Sequence, residues 1–390
     1  MLIQSPHDPA FIQNPYAAYD KARAQGPVLY WQDYGMLAAF DHATVHALLR
    51  DRRLGRAVPP SRRSPAPDHL TAFHRVEQHS LLELEPPEHT RLRRLVLHAF
   101  TSRRIAGLGR DIAAICADLL AELPKGEFDL IPAYCSQVPV RVIARLLGVP
   151  ETMGPDLLRW SSAMVAMYQA GRSRQIEETA NSAAAEFTDF LRRYIDQRRT
   201  DPRDDLITEL ITAQDDGQTL SPDEMIGTCI LLLNAGHEAT VHSLGNSVKC
   251  LIETDTPHAL APDLIDTTVE ELLRFTPPLH MFTRYAYDTI EVGGHILRPG
   301  DEIALMLGAA GRDPAVFSDP HRFDPARPKP AHLAFGGGLH FCVGAPLARL
   351  EMQIALPALF AHAPHLRITQ TPRFADSYHF HKLDHLFVCR

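Results

Sequence analysis

The spacing of apolar and polar residues along the chain predicts a protein made mostly of helices. Apolar residues recur every three to four positions, the period of one helix face, over five long stretches: Glu88 to Phe100, Ser102 to Glu122, Gln175 to Arg199, Ser221 to about Glu253, and Leu264 to Phe275. Strand-like runs are fewer and shorter, at Val28 to Trp31, Met36 to Phe40, and Ile290 to Leu297 around Gly293-Gly294. The pattern therefore predicts a mainly α fold with a small β region.

The helix that begins after Ser221 is unusual in its length and in its centre. Ser221-Pro222-Asp223-Glu224 supplies an N-cap, a proline at the first helical position and the glutamate of a capping box. Ile226 to Leu233 is apolar almost all round, which predicts that the helix crosses the protein interior. Its middle carries Asn234-Ala235-Gly236-His237-Glu238-Ala239-Thr240, where a glycine and a carboxylate oppose helix propensity and desolvation. We interpret this segment as a functional site.

Composition and charge narrow the class of protein. Of the 390 residues, 45% are hydrophobic and 22% are charged, as in a globular protein with a large core. The formal net charge of -8 argues against nucleic acid as a partner. Neither a membrane anchor nor a signal peptide is expected, so the predicted location is the cytoplasm. The proline-rich stretch from Ala57 to Pro67 is better explained as a loop than as a linker, and residues 1–390 are expected to form a single domain.

One of the six cysteines lies in a setting that predicts chemistry. Cys342 follows the glycine-rich segment Phe335-Gly336-Gly337-Gly338-Leu339-His340-Phe341 and precedes a helix start at Val343-Gly344-Ala345-Pro346. The N–H groups of a helix N-terminus favour a thiolate, which is a metal ligand or a nucleophile. A buried structural cysteine is the alternative. No Walker lysine follows the glycines, which excludes a phosphate-binding loop.

This stretch matches the pattern F-x-x-G-x-H-x-C-x-G at every fixed position and thereby resembles the haem-binding loop of cytochrome P450 haem-thiolate monooxygenases. Further marks of the family lie in the expected order over essentially the whole chain: Ala235-Gly236-His237-Glu238, Glu271-Leu272-Leu273-Arg274 as E-x-x-R, and Phe323 to Arg327. The resemblance is to the soluble bacterial class. It implies the cytochrome P450 fold, with the long central helix over a haem b whose iron is bound by a thiolate.

The resemblance also implies roles for individual residues. Cys342 is implied to be the proximal iron ligand, and Glu271 with Arg274 a structural ion pair behind the haem. The other implied cofactor-binding residues are His89, Arg93, Arg284 and His340 at the propionates, with Phe335, Gly336 and Gly344 in the cysteine loop. His89 and Arg93 are four residues apart on one helix face, whereas Arg91 and Arg94 point to another. Ordinary solvated helix faces are the alternative for the basic segment and for E-x-x-R.

The resemblance breaks at one position of the long helix. The family pattern A-G-x-[D/E]-T-T usually places a threonine, thought to help deliver protons to bound dioxygen, where this chain has Ala239. Thr240 follows but is turned by about 100° around the helix. Loss of a proton donor typically costs roughly 10²- to 10⁴-fold in a dependent step. The candidate substitutes are Glu238 through ordered water, Asn234, Thr240 in a bulged helix, or a hydroxyl or carboxyl group of the substrate.

Two other classes of function compete with a monooxygenase. The segment from His237 to His242 superficially resembles the zinc-protease motif H-E-x-x-H, but its histidines are five residues apart and do not share a helix face. A metal hydrolase is therefore the weaker hypothesis. A haem-based sensor without turnover is the other alternative, although it would not need a carboxylate in the middle of the helix.

The resulting hypothesis is a monooxygenase that uses O2 to hydroxylate or epoxidise a small, largely apolar substrate. Dehydrogenation, coupling or isomerisation of a hydroxylated or carrier-bound intermediate is the alternative within the family. The chain has no flavin, nicotinamide or iron-sulfur motif, so a ferredoxin with its reductase is the expected electron donor. The expected docking surface is a basic patch of Arg91, Arg94, Arg103, Arg104 and Arg349. By the resemblance, the substrate pocket is lined by Phe73, Met164 to Tyr168, Ala235, Leu279 to Phe282, and Tyr378 to Phe380.

Overall fold

Helices surround one long central helix and form most of the protein. The computed structural model describes residues 1–168, 172–214, 217–328, 331–377 and 380–390. Within these ranges the helices are α1 (Pro9–Gln13), α2 (Tyr16–Gln25), α3 (His42–Leu48), α4 (Thr71–Glu77), α5 (Glu88–Ala99), α6 (Ser102–Gly107), α7 (Gly109–Glu122), α8 (Gln137–Leu147), α9 (Gly154–Val165), α10 (Arg174–Thr200), α11 (Leu206–Thr212), α12 (Pro222–Glu253), α13 (Ile265–Phe275), α14 (Leu307–Ala310) and α15 (Ala345–His362).

The strands form small sheets at the edge of this helical body. They are β1 (Val28–Trp31), β2 (Met36–Ala39), β3 (Leu54–Gly55), β4 (Glu127–Asp129), β5 (Phe282–Ala286), β6 (Ile290–Val292), β7 (His295–Leu297), β8 (Glu302–Leu305), β9 (Arg367–Ile368), β10 (Arg373–Phe374), β11 (Leu383–His385) and β12 (Phe387–Cys389). The largest sheet has the order β1-β2-β8-β5-β3, and only its β2–β8 pairing is parallel.

The central helix α12 begins as the sequence predicts. The Ser221 hydroxyl accepts the N–H of Glu224, and the Glu224 carboxylate accepts the N–H of Ser221, which completes the capping box. Every residue from Pro222 to Glu253 is described and α-helical. α12 packs in the largest apolar cluster of the protein, which also contains residues of α5, α7, α8, α10 and α15. The core thus encloses the segment that the sequence marks as functional.

Most of the predicted elements are confirmed, but one predicted helix is divided into two and one predicted strand is shorter than expected. The helix predicted from Ser102 to Glu122 is two helices, because Leu108 interrupts it between Gly107 and Gly109, and glycine is a poor helix former. The strand predicted to reach Phe40 ends at Ala39, and Asp41 then caps α3 by accepting the N–H of Thr44. The Ile290 to Leu297 hairpin forms as predicted.

Candidate active site

The Cys342 loop is held in place by backbone contacts at both of its ends. The Cys342 N–H donates to the carbonyl of Phe335 at 3.1 Å and closes the loop just before α15. Gly338 adopts a φ of +66°, and a side chain there would meet the carbonyl oxygen of Leu49 at 2.4 Å. The glycines therefore let the loop pack against the segment after α3, and this contact fixes where the cysteine is presented.

The electrostatic setting of the Cys342 thiol differs from the expectation for an isolated helix end. Burial raises the pKa of this thiol, although the N–H groups of Gly344 and Ala345 and the charges of Arg93 and Arg349 lower it. Desolvation thus outweighs those N–H groups in the free thiol, and the thiolate ligation of iron by Cys342 stays a prediction. A cation bound at the sulfur would supply the missing stabilisation.

Two histidines and two arginines lie near this loop or on the sheet beside it. His89 on α5 is 1% exposed, and neither of its ring nitrogens has a hydrogen-bond partner among the described residues. Its ring lies 4.5 Å from that of His340, whose Nε2 is 3.0 Å from Glu85 Oε1. Arg93 Nη2 donates to the carbonyl of Phe341 at 2.7 Å. Arg284 on β5 is 3% exposed, and burial, together with the charge of Arg56, lowers its pKa to about 10.

The E-x-x-R residues form a fully buried charge pair. The Arg274 guanidinium donates from Nε and Nη2 to the two carboxylate oxygens of Glu271, at 2.7 Å each. Arg327 Nε and the N–H of Asp324 also donate to Glu271 Oε1, at 3.1 and 3.0 Å. Remaining Arg274 donors bind the carbonyls of Gly311, Pro320 and Arg322. The pair therefore ties α13 to the loops that precede the cysteine and is not a solvated helix pair.

The faces of α12 differ in their exposure. Ala235 is exposed and Leu231 and Ala239, four residues to either side, are half-buried, whereas Leu233, Asn234, His237 and Glu238 are buried. Positions four apart share a helix face, so Leu231, Ala235 and Ala239 form a narrow open stripe of small and aliphatic side chains along α12. Asn234 Nδ2 contacts Met164 Sδ of α9 at 3.8 Å, which turns its amide away from the stripe. Thr240 is buried, and the bulge that would bring it onto the stripe is absent from α12.

Glu238 lies in a network with two histidines and a lysine. Its Oε1 is 3.1 Å from His242 Nε2 and 3.7 Å from Lys382 Nζ, and its Oε2 is 3.7 Å from His237 Nδ1. Burial alone would raise the pKa of Glu238, but the hydrogen bond and charge of His242, with the charges of His237 and Lys382, lower it to about 2. Within the described ranges no group of three or more His, Cys, Asp or Glu side chains is placed so that it could hold a metal ion, and the positive charge of Lys382 would oppose a cation in this network.

The predicted substrate-pocket residues fall into separate contacts. Leu279 and Phe380 form a β-bridge, and the Phe380 ring lies 5.7 Å from that of His242. Phe282 on β5 lies against the cysteine loop, since a side chain at Gly336 would meet its ring at 3.0 Å. Phe73 is buried on α4, and its N–H donates to Asn181 of α10. Tyr378, named in the same prediction, lies outside the described residues.

The expected basic patch is largely neutralised by neighbouring carboxylates. Arg91 pairs with Glu224. Arg104 pairs with Asp204 at 2.9 Å and Glu209 at 3.0 Å. Arg349 Nη2 donates to Glu270 at 3.0 Å. Three of the five arginines are thus paired within the protein, which reduces the positive charge of the expected patch, and docking at this patch stays a prediction.

Comparison with known proteins assigns this geometry to a family. The family model "Cytochrome P450" matches residues 263–364. The chain is 36% identical over 375 residues to "Cytochrome P450 monooxygenase PikC" of Streptomyces venezuelae, covering 93% of this chain and 87% of the relative. The chain belongs to the cytochrome P450 family. A second relative, "6-deoxyerythronolide B hydroxylase" of Saccharopolyspora erythraea, is 36% identical over 370 residues, or 90% of this chain and 89% of the relative.

Solved structures of cytochromes P450 have the same fold. P450BioI, in complex with an acyl carrier protein ligated to hexadec-9Z-enoic acid, superposes with a TM-score of 0.92 at 32% identity and covers 98% of this chain and 99% of its own. PksS of Bacillus subtilis 168, described as the bacillaene polyketide synthase cytochrome P450, has a TM-score of 0.89 at 32% identity, with 99% coverage of both chains. This protein is therefore a cytochrome P450 monooxygenase with the P450 fold and a haem cofactor.

The residues around the cysteine loop fit such a haem. His89 is buried with both ring nitrogens unpartnered, as expected of a donor kept for an anionic group of a ligand. Arg93 and Arg284 add positive charge, and no side chain projects from Gly344, whose Cβ would lie 3.8 Å from Cys342 Sγ. The described helices include none that is both long and apolar enough to cross a membrane.

Sequence reasoning missed several partners of these residues. Glu85, which contacts His340 and accepts the N–H of Arg56, gives no local signal because it lies in an irregular segment. Arg327 belongs to the Phe323 to Arg327 motif. A charged residue next to a proline in this motif was the available signal that Arg327 has a structural partner. Lys382 is far from Glu238 in the chain, and only the tertiary fold brings the two together.

Proposed function

We propose that this cytochrome P450 hydroxylates or epoxidises a largely apolar organic substrate that carries a polar group near the oxidised carbon. The observation that supports this most strongly is the set of basic groups around the Cys342 loop, namely the buried His89 and Arg284 and the half-buried Arg93, which suits an anionic, iron-containing ligand. In this proposal Cys342 binds the iron of haem b, and His89, Arg93, Arg284 and His340 bind the propionates.

The haem supplies O2 activation, and the overall reaction takes up two electrons and two protons while one oxygen atom enters the substrate and the other leaves as water. The protein residues position the substrate and provide the protons. Ala235 and Ala239 leave room beside α12, and the Leu279–Phe380 bridge and, separately, Phe282 are proposed to contact the apolar part of the substrate. No hydroxyl occupies position 239, so a polar group of the substrate is proposed to hold the water that a threonine would otherwise hold.

The names of the relatives favour a polyketide or acyl substrate. One relative is named a hydroxylase of 6-deoxyerythronolide B, and another is named a polyketide biosynthesis cytochrome P450. A carrier-bound substrate is a second candidate, because the neighbour P450BioI is described in complex with an acylated carrier protein. In that case the same site performs oxidation, dehydrogenation or coupling on a tethered chain.

We propose a ferredoxin with its reductase as the electron donor. A shallow groove of about 250 Å³ lies beside the cysteine loop and is lined by His89, Thr90, Arg93, Arg94, Leu97, Gly338 and Leu339. Leu97 is 45% exposed and Phe341, next to Cys342, is 41% exposed. An apolar centre with Arg94 at its rim suits a small acidic partner better than the patch first expected. A ferredoxin system that uses reduced nicotinamide also implies a cytoplasmic enzyme.

The proposal is tested by a screen of polyketides and acyl chains for the optical shift that marks displacement of water from the iron. A compound that shifts the spectrum is then turned over under labelled O2 with a ferredoxin system, and the product is analysed by mass spectrometry. Incorporation of one labelled oxygen atom is expected. An unlabelled dehydrogenated or coupled product would replace this proposal with the alternative chemistry, and binding without any product would favour a sensor.

A further inference from the structure

Glu270 precedes Glu271 on α13 and makes a second, separate set of contacts around the cysteine loop. Consecutive side chains on a helix diverge by about 100°, so the two carboxylates point to different neighbours. Glu271 binds the buried arginines described above, whereas Glu270 binds Arg349 of α15 and His332 in the segment that leads to Cys342. The proposed function does not use these contacts of Glu270.

Three N–H groups of the described residues donate to the Glu270 carboxylate. Arg349 donates from Nε to Oε1 and from Nη2 to Oε2, the latter at 3.0 Å, which is the two-point geometry of a strong arginine–carboxylate pair. His332 Nδ1 accepts the N–H of Ala334 at 3.2 Å, so Nε2 carries the hydrogen and donates to Glu270 Oε2 at 3.1 Å. Burial alone would raise the pKa of Glu270, but the hydrogen bonds and charges of His332 and Arg349 lower it to about 2. The carboxylate is therefore ionised throughout the neutral range.

Arg349 lies over the ring of Phe335, the residue at which the cysteine loop begins. The Cζ atom of Arg349 is 4.5 Å from the ring centroid, within the distance of a cation–π contact. The backbone carbonyl of Phe335 accepts the N–H of Cys342, and the Phe335 ring meets that of Phe341 edge-on at 6.4 Å. The guanidinium that Glu270 holds is therefore packed on the residue that closes the loop around the sulfur.

A second pair of side chains aligns α13 with α15. Gln353 Nε2 donates to Asp266 Oδ1 at 2.8 Å. Gln353 lies four residues after Arg349, and Asp266 lies four residues before Glu270, so both pairs occupy the facing sides of the two helices. The position of α13 thus determines where the guanidinium of Arg349 lies.

The charges of Arg349 and Glu270 have opposite effects at the cysteine. The charge of Arg349 acts on the Cys342 sulfur. A positive charge beside a thiolate-bound iron favours its reduced form, because reduction adds one negative charge. The side chain of Glu270 is 15% exposed and that of Arg349 is 29% exposed, so solvent screens these charges only in part. The Glu270 carboxylate therefore offsets part of the effect of the guanidinium.

From this geometry we infer that Glu270 is a positioning residue of the haem-thiolate centre. It holds Arg349 against Phe335, and its own charge limits how strongly that arginine favours reduction of the iron. The inference rests on the proposed ligation of iron by Cys342 and extends it to the control of the reduction potential. Since the electrons are proposed to come from a ferredoxin, this potential sets the driving force of their transfer.

The test measures the reduction potential of the haem-loaded protein by spectroelectrochemical titration, in which one electron from dithionite, carried by a mediator dye, reduces Fe(III) to Fe(II). Glu270→Gln keeps an acceptor for Arg349 but removes the negative charge, so the potential should become more positive. Arg349→Gln removes the positive charge, so the potential should become more negative. Each shift should correspond to about three- to tenfold in the reduction equilibrium, or roughly 30–60 mV at about 59 mV per tenfold for one electron.

The matched controls use an exposed pair on α10, Arg174 and Glu178, which are four residues apart. Glu178→Gln and Arg174→Gln make the same changes of charge on a helix that does not hold the cysteine loop, so neither should shift the potential. Arg349→Lys keeps the positive charge and should recover most of the shift seen in Arg349→Gln.

A second readout reports the position of the loop and not its charge. Glu270→Ala removes the link between α13 and the start of the loop, so the backbone amides of residues 335–342 should exchange with deuterium at least about threefold faster. Glu178→Ala should leave that exchange unchanged. If Glu270→Ala fails to fold, Glu270→Asp takes its place with the same expectation, because its side chain is one methylene shorter.

The outcomes separate this inference from the proposed function. Equal potentials in Glu270→Gln, Arg349→Gln and the controls overturn the electrostatic role, as do shifts of the same sign in both variants. Unchanged deuterium exchange overturns the positioning role. The proposed function stands in each of these cases as long as the carbon monoxide complex keeps its thiolate spectrum. If that spectrum is absent from the unaltered protein, the proposed ligation by Cys342 fails and this inference fails with it.

Discussion

Ala239 is the residue at which this chain departs from the pattern of its family, and the helix around it is regular. Since α12 has no bulge, Thr240 remains about 100° from the position of the missing hydroxyl. Asn234 is directed at Met164 and does not replace it either. We therefore propose that the protons come through the substrate and through water held by the Glu238 network.

Ala239→Thr should improve coupling, measured as product formed per reduced nicotinamide consumed, with substrate analogues that lack the polar group. The new hydroxyl would hold water where those analogues do not, while the true substrate is expected to gain little or to be crowded. Thr240→Val is the matched control and should have little effect. Collapse of coupling in Thr240→Val, with no dependence on the polar group of the substrate, would show that Thr240 is the donor.

Glu351 on α15 is a buried carboxyl that the proposed reaction does not use. Its Oε2 has no hydrogen-bond partner among the described residues, and burial raises its pKa to about 8 from an ordinary 4.5. The unfolded chain releases this proton at lower pH than the folded protein does. The stability contribution is therefore fully present below about pH 4.5 and is lost as the pH rises towards 8.

Glu351→Gln should remove this pH dependence. Between pH 5 and 8 the free energy of unfolding of the unaltered protein should fall relative to that of the variant by up to about 1.4 kcal/mol per pH unit, the most that one proton can contribute. Denaturant unfolding at several pH values measures the difference. Parallel curves for the two proteins would mean that Glu351 is ionised or hydrogen-bonded in the folded state.

At the scale of secondary structure, local signals predicted the elements better than their contacts. The cap of α12, the hairpin at Gly293-Gly294 and the start of α15 all follow from residues within one or two turns of each other. The partners of the site residues do not, because Glu238 meets Lys382 and Glu271 meets Arg327 only through the tertiary fold. The carboxylate partners of Arg91, Arg104 and Arg349 were not predicted for the same reason.

The Glu271 cluster joins α13 to the loops before Cys342 and should be a main source of local stability. Glu271→Gln leaves Arg274 and Arg327 buried without their carboxylate, which typically costs about 3–5 kcal/mol. Glu253→Gln, which removes an exposed pair with Lys249 one turn earlier on α12, should cost about 1 kcal/mol or less. Denaturant unfolding followed by circular dichroism and haem absorbance measures both, and equal losses would contradict the structural role of the cluster.

At the scale of the whole molecule, a net charge of -8 coexists with a proposed acidic partner. Three arginines near the cysteine loop are paired with carboxylates, namely Arg91, Arg104 and Arg349. The long-range attraction between this surface and an acidic partner is therefore modest. The exposed Leu97 and Phe341 beside the cysteine loop are then the stronger reason to expect docking there.

Leu97→Glu should slow haem reduction by a ferredoxin by roughly 5- to 30-fold, equivalent to about 1–2 kcal/mol for an interface anchor. Reduction by dithionite should be unchanged, because that reagent needs no docking. Ile296→Glu, which alters an exposed apolar residue on β7, is the matched control. Stopped-flow absorbance provides the rates. Equal rates for Leu97→Glu and the control would place the docking surface elsewhere.

Thiolate ligation by Cys342 is the central claim, and the carbon monoxide spectrum of the reduced protein tests it most directly. The unaltered protein and the control Cys389→Ala should both show the red-shifted Soret band of a thiolate-bound haem. Cys342→Ala should lose that band because no sulfur remains at the N-terminus of α15. Survival of the band in Cys342→Ala, or its absence from the unaltered haem-loaded protein, would contradict the account.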